Sequence, residues 1–346
     1  MTNPAQWGLT SPRELPAARN LARRAREEIW RFFPTWMFFF YGCLLLNTEL
    51  TNLVPPRDDL AYTALFPLSV FALFYGVRAY RAPEVRRRSA MFFVAAALCL
   101  GWPLLNLAVH RPSPFELPLL RRMFELSNFV WGALLLVHAL RRRPSHAVLF
   151  FGVGLLYGAL LENGGILLGF YGEHHLTQTR VGPLLAPLAT MLGWCVVLYM
   201  ATFTVWELRS YLPWLKRSAT ASALLISIFS MMLDLQIDPA ATATGCWVWN
   251  PTLPPFFHGV PLVNFVAWIC ALFPFAYVLM RYQQRANLEE SSGFTPAQLL
   301  RLLYAVPVVL VLAALLFVGA TLAIEGAEGP SWSLLNRFAV QLFAAI

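Results

Sequence analysis

The sequence predicts an all-α fold, a polytopic integral membrane helical bundle with about nine transmembrane helices. Three observations predict it. The first is composition: 58% of the 346 residues are hydrophobic, only 13% are charged, and the mean hydropathy is +0.57. That is more apolar sequence than a soluble domain can bury. The second is spacing, because apolar runs of about 20 residues, the length a helix needs to cross a bilayer, recur along the chain. The third is charge placement. The formal net charge is +8, but the basic residues, all Arg except Lys216, punctuate the apolar runs instead of forming a patch. This is the positive-inside pattern, and it argues against nucleic acid as a partner.

Residues 1–29 are polar and Arg-rich, without the short apolar region and cleavage site of a signal peptide, and read as a cytoplasmic tail. Residues 30–330 read as a single transmembrane domain, with spans expected at Trp30–Asn47, Leu60–Tyr80, Ala90–His110, Met123–Leu140, Ala147–Phe170, Val181–Trp206, Ala219–Ile237, Pro261–Tyr282 and Gln298–Leu322. The remaining segment, 331–346, is too short to cross and is expected at the interface. Arginines precede the first span and follow the second (Arg81, Arg86 to Arg88) and fourth (Arg141 to Arg143); Arg209, Lys216 and Arg217 follow the sixth, and Arg281, Arg285 and Arg301 flank the loop after the eighth. These alternate loops are expected in the cytoplasm, giving a multi-pass protein of the cell membrane with its N-terminus inside. Arg121 and Arg122 run against the pattern. The five cysteines include no CxxC and read as small buried hydrophobes.

With this topology the polar residues of the spans gather toward one side. Asn47, Glu49, Asn106, His110, Glu125, Asn128, Glu162, Asn163, Asp234, Asp238 and Asn264 all fall toward the non-cytoplasmic ends. Either they line a shared internal cavity, which avoids the cost of facing lipid, or many of them are caps at helix ends. Glu162 fits the second reading least, since it lies within an apolar run beside Asn163-Gly164-Gly165, where small residues allow close helix approach.

The chemistry concentrates in Asp234 to Trp268. Asp234 and Asp238 are four residues apart, which puts both carboxylates on one helical face. Facing a common pocket, they disfavour double ionisation, so one is kept protonated, as an acid catalyst requires; alternatively, Asp238-Pro239 only ends the helix. Trp247 and Trp249 follow in a loop, and Asn264 and Trp268 open the next span. The tryptophans are either cation-stabilising faces or an interfacial aromatic belt. No metal site is expected, because the adjacent His174 and His175 diverge from one another. There is also no nucleophile elbow and no phosphate-cradling glycine loop.

The run DxxxDPxxxxxGxWxWxxxxxxxxxGVPxxNFxxW, from Asp234 to Trp268, resembles the carotenoid biosynthesis membrane protein family that includes the gamma-carotene and bisanhydrobacterioruberin 1,2-hydratases. Glu162-Asn163-Gly164-Gly165 resembles that family's ExxG element, and Val181-Gly182-Pro183 with Pro187 and Trp194 its LGP…P…W element. The likeness covers a core of about 155–282. Ala267 and the partial FGxYxY match at Gly169-Phe170-Tyr171-Gly172 depart from the pattern.

The resemblance implies an enzyme, a hydratase that adds water under acid catalysis to the 1,2 double bond of an acyclic carotenoid end. The acids would be Asp238, Asp234 and Glu162, and Trp247, Trp249, Asn264, Trp268, Asn163 and Tyr171 would bind substrate. No cofactor is expected. Its partners would be the bilayer, a hydrophobic polyene and other enzymes of the carotenoid pathway. Two other classes stay open: an intramembrane prenyltransferase or other lipid-modifying enzyme, which would need a second Asp-rich site for magnesium and diphosphate, and a proton- or cation-coupled transporter.

Alternating basic loops give a direct test. Tags inserted within Asp238–Pro261 are expected on the non-cytoplasmic side, and tags after Arg86 or Arg143 in the cytoplasm; reporter fusions giving the reverse pattern at all three sites would refute this topology.

Overall fold

The structure is a computed structural model that describes residues 27, 30, 31, 33–38, 117–171, 180–288 and 292–345. The expected spans at Leu60–Tyr80 and Ala90–His110 lie outside the described residues, as do Asn47, Glu49, Asn106, His110, His174 and His175. The described part is all-helical apart from one short hairpin. Among the described residues, six helices are long and apolar enough to cross a membrane. They are α1 (Leu117–Arg142), α2 (Pro144–Leu167), α3 (Leu188–Tyr211), α5 (Ala219–Thr244), α6 (Leu262–Arg285) and α7 (Pro296–Glu325), with a short α4 (Pro213–Arg217) between α3 and α5 and a terminal α8 (Pro330–Ala345). Each of the six coincides with a span expected from the sequence, so the bundle is membrane-type; of the other three that make up the expected count of about nine, Trp30–Asn47 is described only at residues 30, 31 and 33–38, which are helical, and the remaining two lie outside the described residues.

Successive helices run in opposite directions, and side-chain ties mark the two ends. At the basic end, Arg209 of α3 and Gln284 of α6 both donate to the Lys216 carbonyl, at 3.3 and 3.1 Å, and Ser145 accepts from the Phe294 amide at 2.8 Å. Arg141 and Arg142 close α1 at this end, and Arg285 closes α6. At the opposite end, Arg121 donates to the Thr244 carbonyl at 2.6 Å. That bond explains an arginine on the arginine-poor side: its guanidinium caps the C-terminus of α5, where unpaired carbonyls and the helix dipole favour a cation.

Helix α5 does not stop at Asp238-Pro239. It continues through Pro239 to Thr244 and ends where Gly245 turns left-handed (φ 67°) and the Cys246 amide reaches back to the Ala241 carbonyl at 2.8 Å. Proline lacks an N–H, so the Leu235 carbonyl loses its helical donor there, and the surrounding tertiary packing carries the helix across. The loop beyond folds into a hairpin of β1 (Pro255–Phe257) and β2 (Val260–Pro261), turned by His258 and Gly259, both at positive φ. Helix α5 packs most extensively on α6, and α2 on α3. The described helical residues 33–38 dock on the other face of the bundle, where Thr204 of α3 bonds Thr35 at 3.3 Å and Phe38 meets Phe229 of α5 at 5.9 Å.

The close approach of α2 and α3 depends on Gly158. A Cβ there would stand 2.7 Å from the Cβ of Trp194 and 3.2 Å from the Met191 carbonyl. Gly158→Val is expected to lower stability by about 1–3 kcal/mol through overpacking. Gly319→Ala, where an added Cβ meets nothing within 4 Å, is expected to be neutral. Thermal unfolding of both variants in detergent checks the contrast.

Candidate active site

Four helices and one loop carry the acids and their donors. Asp234 and Asp238 lie one turn apart on α5, on the face turned to α6, which follows from their four-residue spacing. Asn264 sits in the first turn of α6, just after the hairpin returns the chain to the membrane. Its side-chain NH₂ donates to Asp234 Oδ2 at 2.7 Å and also to Asp238 Oδ2. One amide therefore serves two carboxyl groups and spans the α5–α6 contact. Asp234 is fully buried, and among the described residues its Oδ1 has no amide or hydroxyl donor. Asp238 is the outer member of the pair and faces the cavity.

Glu162 approaches from α2. Its Oε1 accepts from the Trp194 indole N–H at 2.6 Å, and its Oε2 accepts from the Tyr171 hydroxyl at 2.9 Å. Both carboxylate oxygens are thus held by donors that stay protonated. Tyr171 lies beyond the end of α2, and its hydroxyl is held well above the ordinary phenol range, first by burial and then by the negative charge of Glu162. Gly165 makes this possible, since a Cβ there would lie 2.7 Å from the phenol Cζ.

Aromatic rings wall the remainder. Trp194 and Trp268 stack face to face, with centroids 4.2 Å apart and planes 11° from parallel. Trp249 packs edge-on to Tyr171 at 5.4 Å and donates to Thr242 Oγ1 at 3.1 Å, while Trp247 meets Phe124 of α1 at 5.9 Å. The two loops that carry Tyr171 and Trp249 are stitched together. Asn250 donates through its side chain to the Gly169 carbonyl at 2.7 Å and through its backbone to the Phe170 carbonyl at 3.0 Å.

Together these groups enclose a cavity of about 410 Å³, with Glu162, Tyr171, Trp194, Asp238, Trp247, Trp249, Asn264 and Trp268 among its walls. The rest of the lining is mostly apolar, and one side is formed by Leu310, Ala313, Ala314, Phe317 and Val318 of α7. Among the described residues, no three His, Cys, Asp or Glu side chains are placed to hold a metal ion.

A family model described as carotenoid biosynthesis protein matches residues 125–327. The chain belongs to the carotenoid biosynthesis protein family. The match spans α2 to α7 and most of α1, and so contains every wall of the cavity named above except Phe124. No curated protein and no solved structure matches the chain. Membership in this carotenoid biosynthesis family points to a role in that pathway, as an enzyme working from within the membrane.

Of the site residues named from the sequence, the structure brings Glu162, Tyr171, Asp238, Trp247, Trp249, Asn264 and Trp268 to one cavity. Asp234 stands behind Asp238, joined to the site through Asn264. Asn163 is placed differently. Its Oδ1 accepts from the Leu185 and Ala186 amides at 2.7 and 3.2 Å, and its NH₂ donates to the Ala159 carbonyl at 2.7 Å, so it fastens the approach to α3. Two contributors were not assigned from sequence: Trp194, quoted only as part of a motif, and the apolar wall of α7, whose residues carry no chemical label.

The shared amide gives a stability test. Asn264→Leu is expected to cost about 1–3 kcal/mol, because it leaves buried acceptors without their donor. Adding Asp234→Leu is expected to cost little more, since the orphaned group is then removed. Thermal unfolding of the single and double variants measures this, and fully additive losses would count against the shared amide.

Proposed function

We propose that the protein adds water to the 1,2 double bond of an acyclic carotenoid end group, with the carboxyl pair on α5 as the acid. The observation that carries this reading is the meeting of Asp238 with Glu162 and four tryptophans in one largely apolar cavity. An isolated trisubstituted alkene is a weak base. It needs a strong, positioned acid, surroundings that stabilise a tertiary cation, and one held water in a site that otherwise excludes water.

The residues divide those tasks. The two aspartates lie one turn apart and share the Asn264 amide, and in this reading a proton carried by the pair is delivered from the Asp238 carboxyl, which lines the cavity. Its transfer to the less substituted alkene carbon converts the double bond into a new C–H bond and leaves the positive charge on the dimethyl-bearing carbon. The faces of the stacked Trp194–Trp268 pair and of Trp247 and Trp249 stabilise that charge. Water then adds through oxygen to the cationic carbon and loses one proton. Glu162, already fixed as an acceptor by Trp194 and Tyr171, takes that proton, which returns to the aspartate pair by way of water. The net change is one alkene and one water consumed and one tertiary alcohol formed, with no redox step. Asp234 contributes as the buried partner of Asp238, and Asn264 Oδ1 is the acceptor that orients the incoming water.

The decisive experiment is expression of the chain in cells that accumulate acyclic carotenoids, with pigments read by mass for the gain of one water. Asp238→Asn is expected to lower product formation by about 100-fold or more at matched protein levels, the scale of a lost general acid. Asp234→Asn is expected to do less harm, and the two losses to be non-additive because the groups share a proton. Undiminished water addition by Asp238→Asn would remove it as the acid.

A further inference from the structure

We infer that the cavity opens sideways into the bilayer through a window between α2 and α7, and that a linear polyene enters through it end first. This rests on the reading of the cavity as a polyene site. The rim is marked by residues that line the cavity and also face outward along membrane-spanning helices: Leu160 of α2, 45% exposed, and Ala314 of α7, also exposed. Neither carries a polar group, as a mouth onto hydrocarbon requires.

The borders of the window are equally defined. Toward the basic end, α7 packs on the π-helical turn of α2, Val148–Val153, while the rest of α2 has α3 as its principal neighbour. Toward the other end, Phe170 meets Phe317 of α7 at 5.4 Å, and Leu334 of α8 packs into the same cluster. Between these closures the walls are small. A Cβ added at Gly164 would meet nothing within 4 Å, although the residue lines the cavity, and Ala313 and Ala314 stand on the α7 side. The route toward water is obstructed by the stitched Tyr171 and Trp249 loops.

Size decides how the substrate sits. About 410 Å³ is at the small end of ligand pockets, which run from about 300 to 1,000 Å³. It accommodates an end group and its first bonds, and leaves the rest of a long polyene in lipid, where an apolar chain incurs no transfer cost. Selectivity for the terminal double bond then comes from how far the chain can enter, and needs no contact with its middle.

The test is lycopene binding in nanodiscs, followed by the circular dichroism that an achiral polyene acquires in a chiral site, and therefore does not depend on turnover. Wild type and Leu315→Trp, a lipid-facing substitution beside the rim, are expected to titrate alike. Ala314→Trp and Gly164→Leu are expected to weaken binding by about tenfold or more, with unfolding temperatures near wild type. If one plug fails to fold, the other reads the same window. Unchanged binding in a folded plugged variant, or no lycopene signal from wild type, would overturn the proposal. Weakened binding in plugged variants, combined with full water addition by Asp238→Asn, would leave the window standing and overturn the assigned chemistry.

Discussion

A carboxyl group surrounded by apolar side chains and lipid must find its hydrogen-bond donors within the protein, because an unsatisfied acid at that depth costs several kcal/mol. This constraint shapes the bundle. Asp234 and Asp238 obtain their donor from Asn264, and the bond can form only if α5 and α6 lie side by side in one register. Glu162 obtains its two donors from Trp194 and Tyr171, which fixes α3 against α2 and folds the loop after α2 back over the site. The glycines then follow: Gly158 and Gly165 are small where Trp194 and Tyr171 come close.

The same bonds preorganise chemistry. The Glu162 carboxylate is held on both oxygens by groups that remain protonated, which suits it to accept. The α5 pair shares one amide between its two acids. In the proposed reaction the two acidic groups that line the cavity have opposite tasks, Asp238 giving a proton and Glu162 taking one. The tryptophans of the same cavity would give the cation of that reaction π-density without offering a nucleophile to trap it.

Much of this was legible in the sequence. Apolar length and arginine placement located all six described spans, because bilayer thickness and the positive-inside rule act on local sequence. The stretch from Asp234 to Trp268 announced itself through carboxylates, indoles and an amide beside a membrane boundary. What was not legible was pairing across the fold. Nothing near Glu162 says that its donor is an indole 32 residues away. Asn163, adjacent to Glu162, has the same polar character and yet turns to backbone amides, since neighbouring helical positions point about 100° apart. Proline after Asp238 reads as a stop signal, but packing on α6 carries the helix on to Thr244. Arg121 looked misplaced until its partner proved to be a helix end. The α7 wall was invisible because leucine, alanine and phenylalanine look alike whether they face lipid or a cavity.

The order in which these partners leave the ribosome adds a last consequence. Glu162 lies on α2, and Trp194 comes with α3, the next helix made; the aspartates lie on α5, and Asn264 comes with α6, again the next. Each acid therefore waits through the synthesis of only one loop before its donor arrives on the antiparallel neighbour. The α2–α3 and α5–α6 hairpins are thus natural units of membrane insertion, each able to satisfy its own buried acids before the other is in place. A longer delay would leave a bare carboxyl to be held at the insertion machinery or lost from the span. Biogenesis as well as the proposed catalysis is served by keeping each acid and an amide or indole donor on consecutive helices.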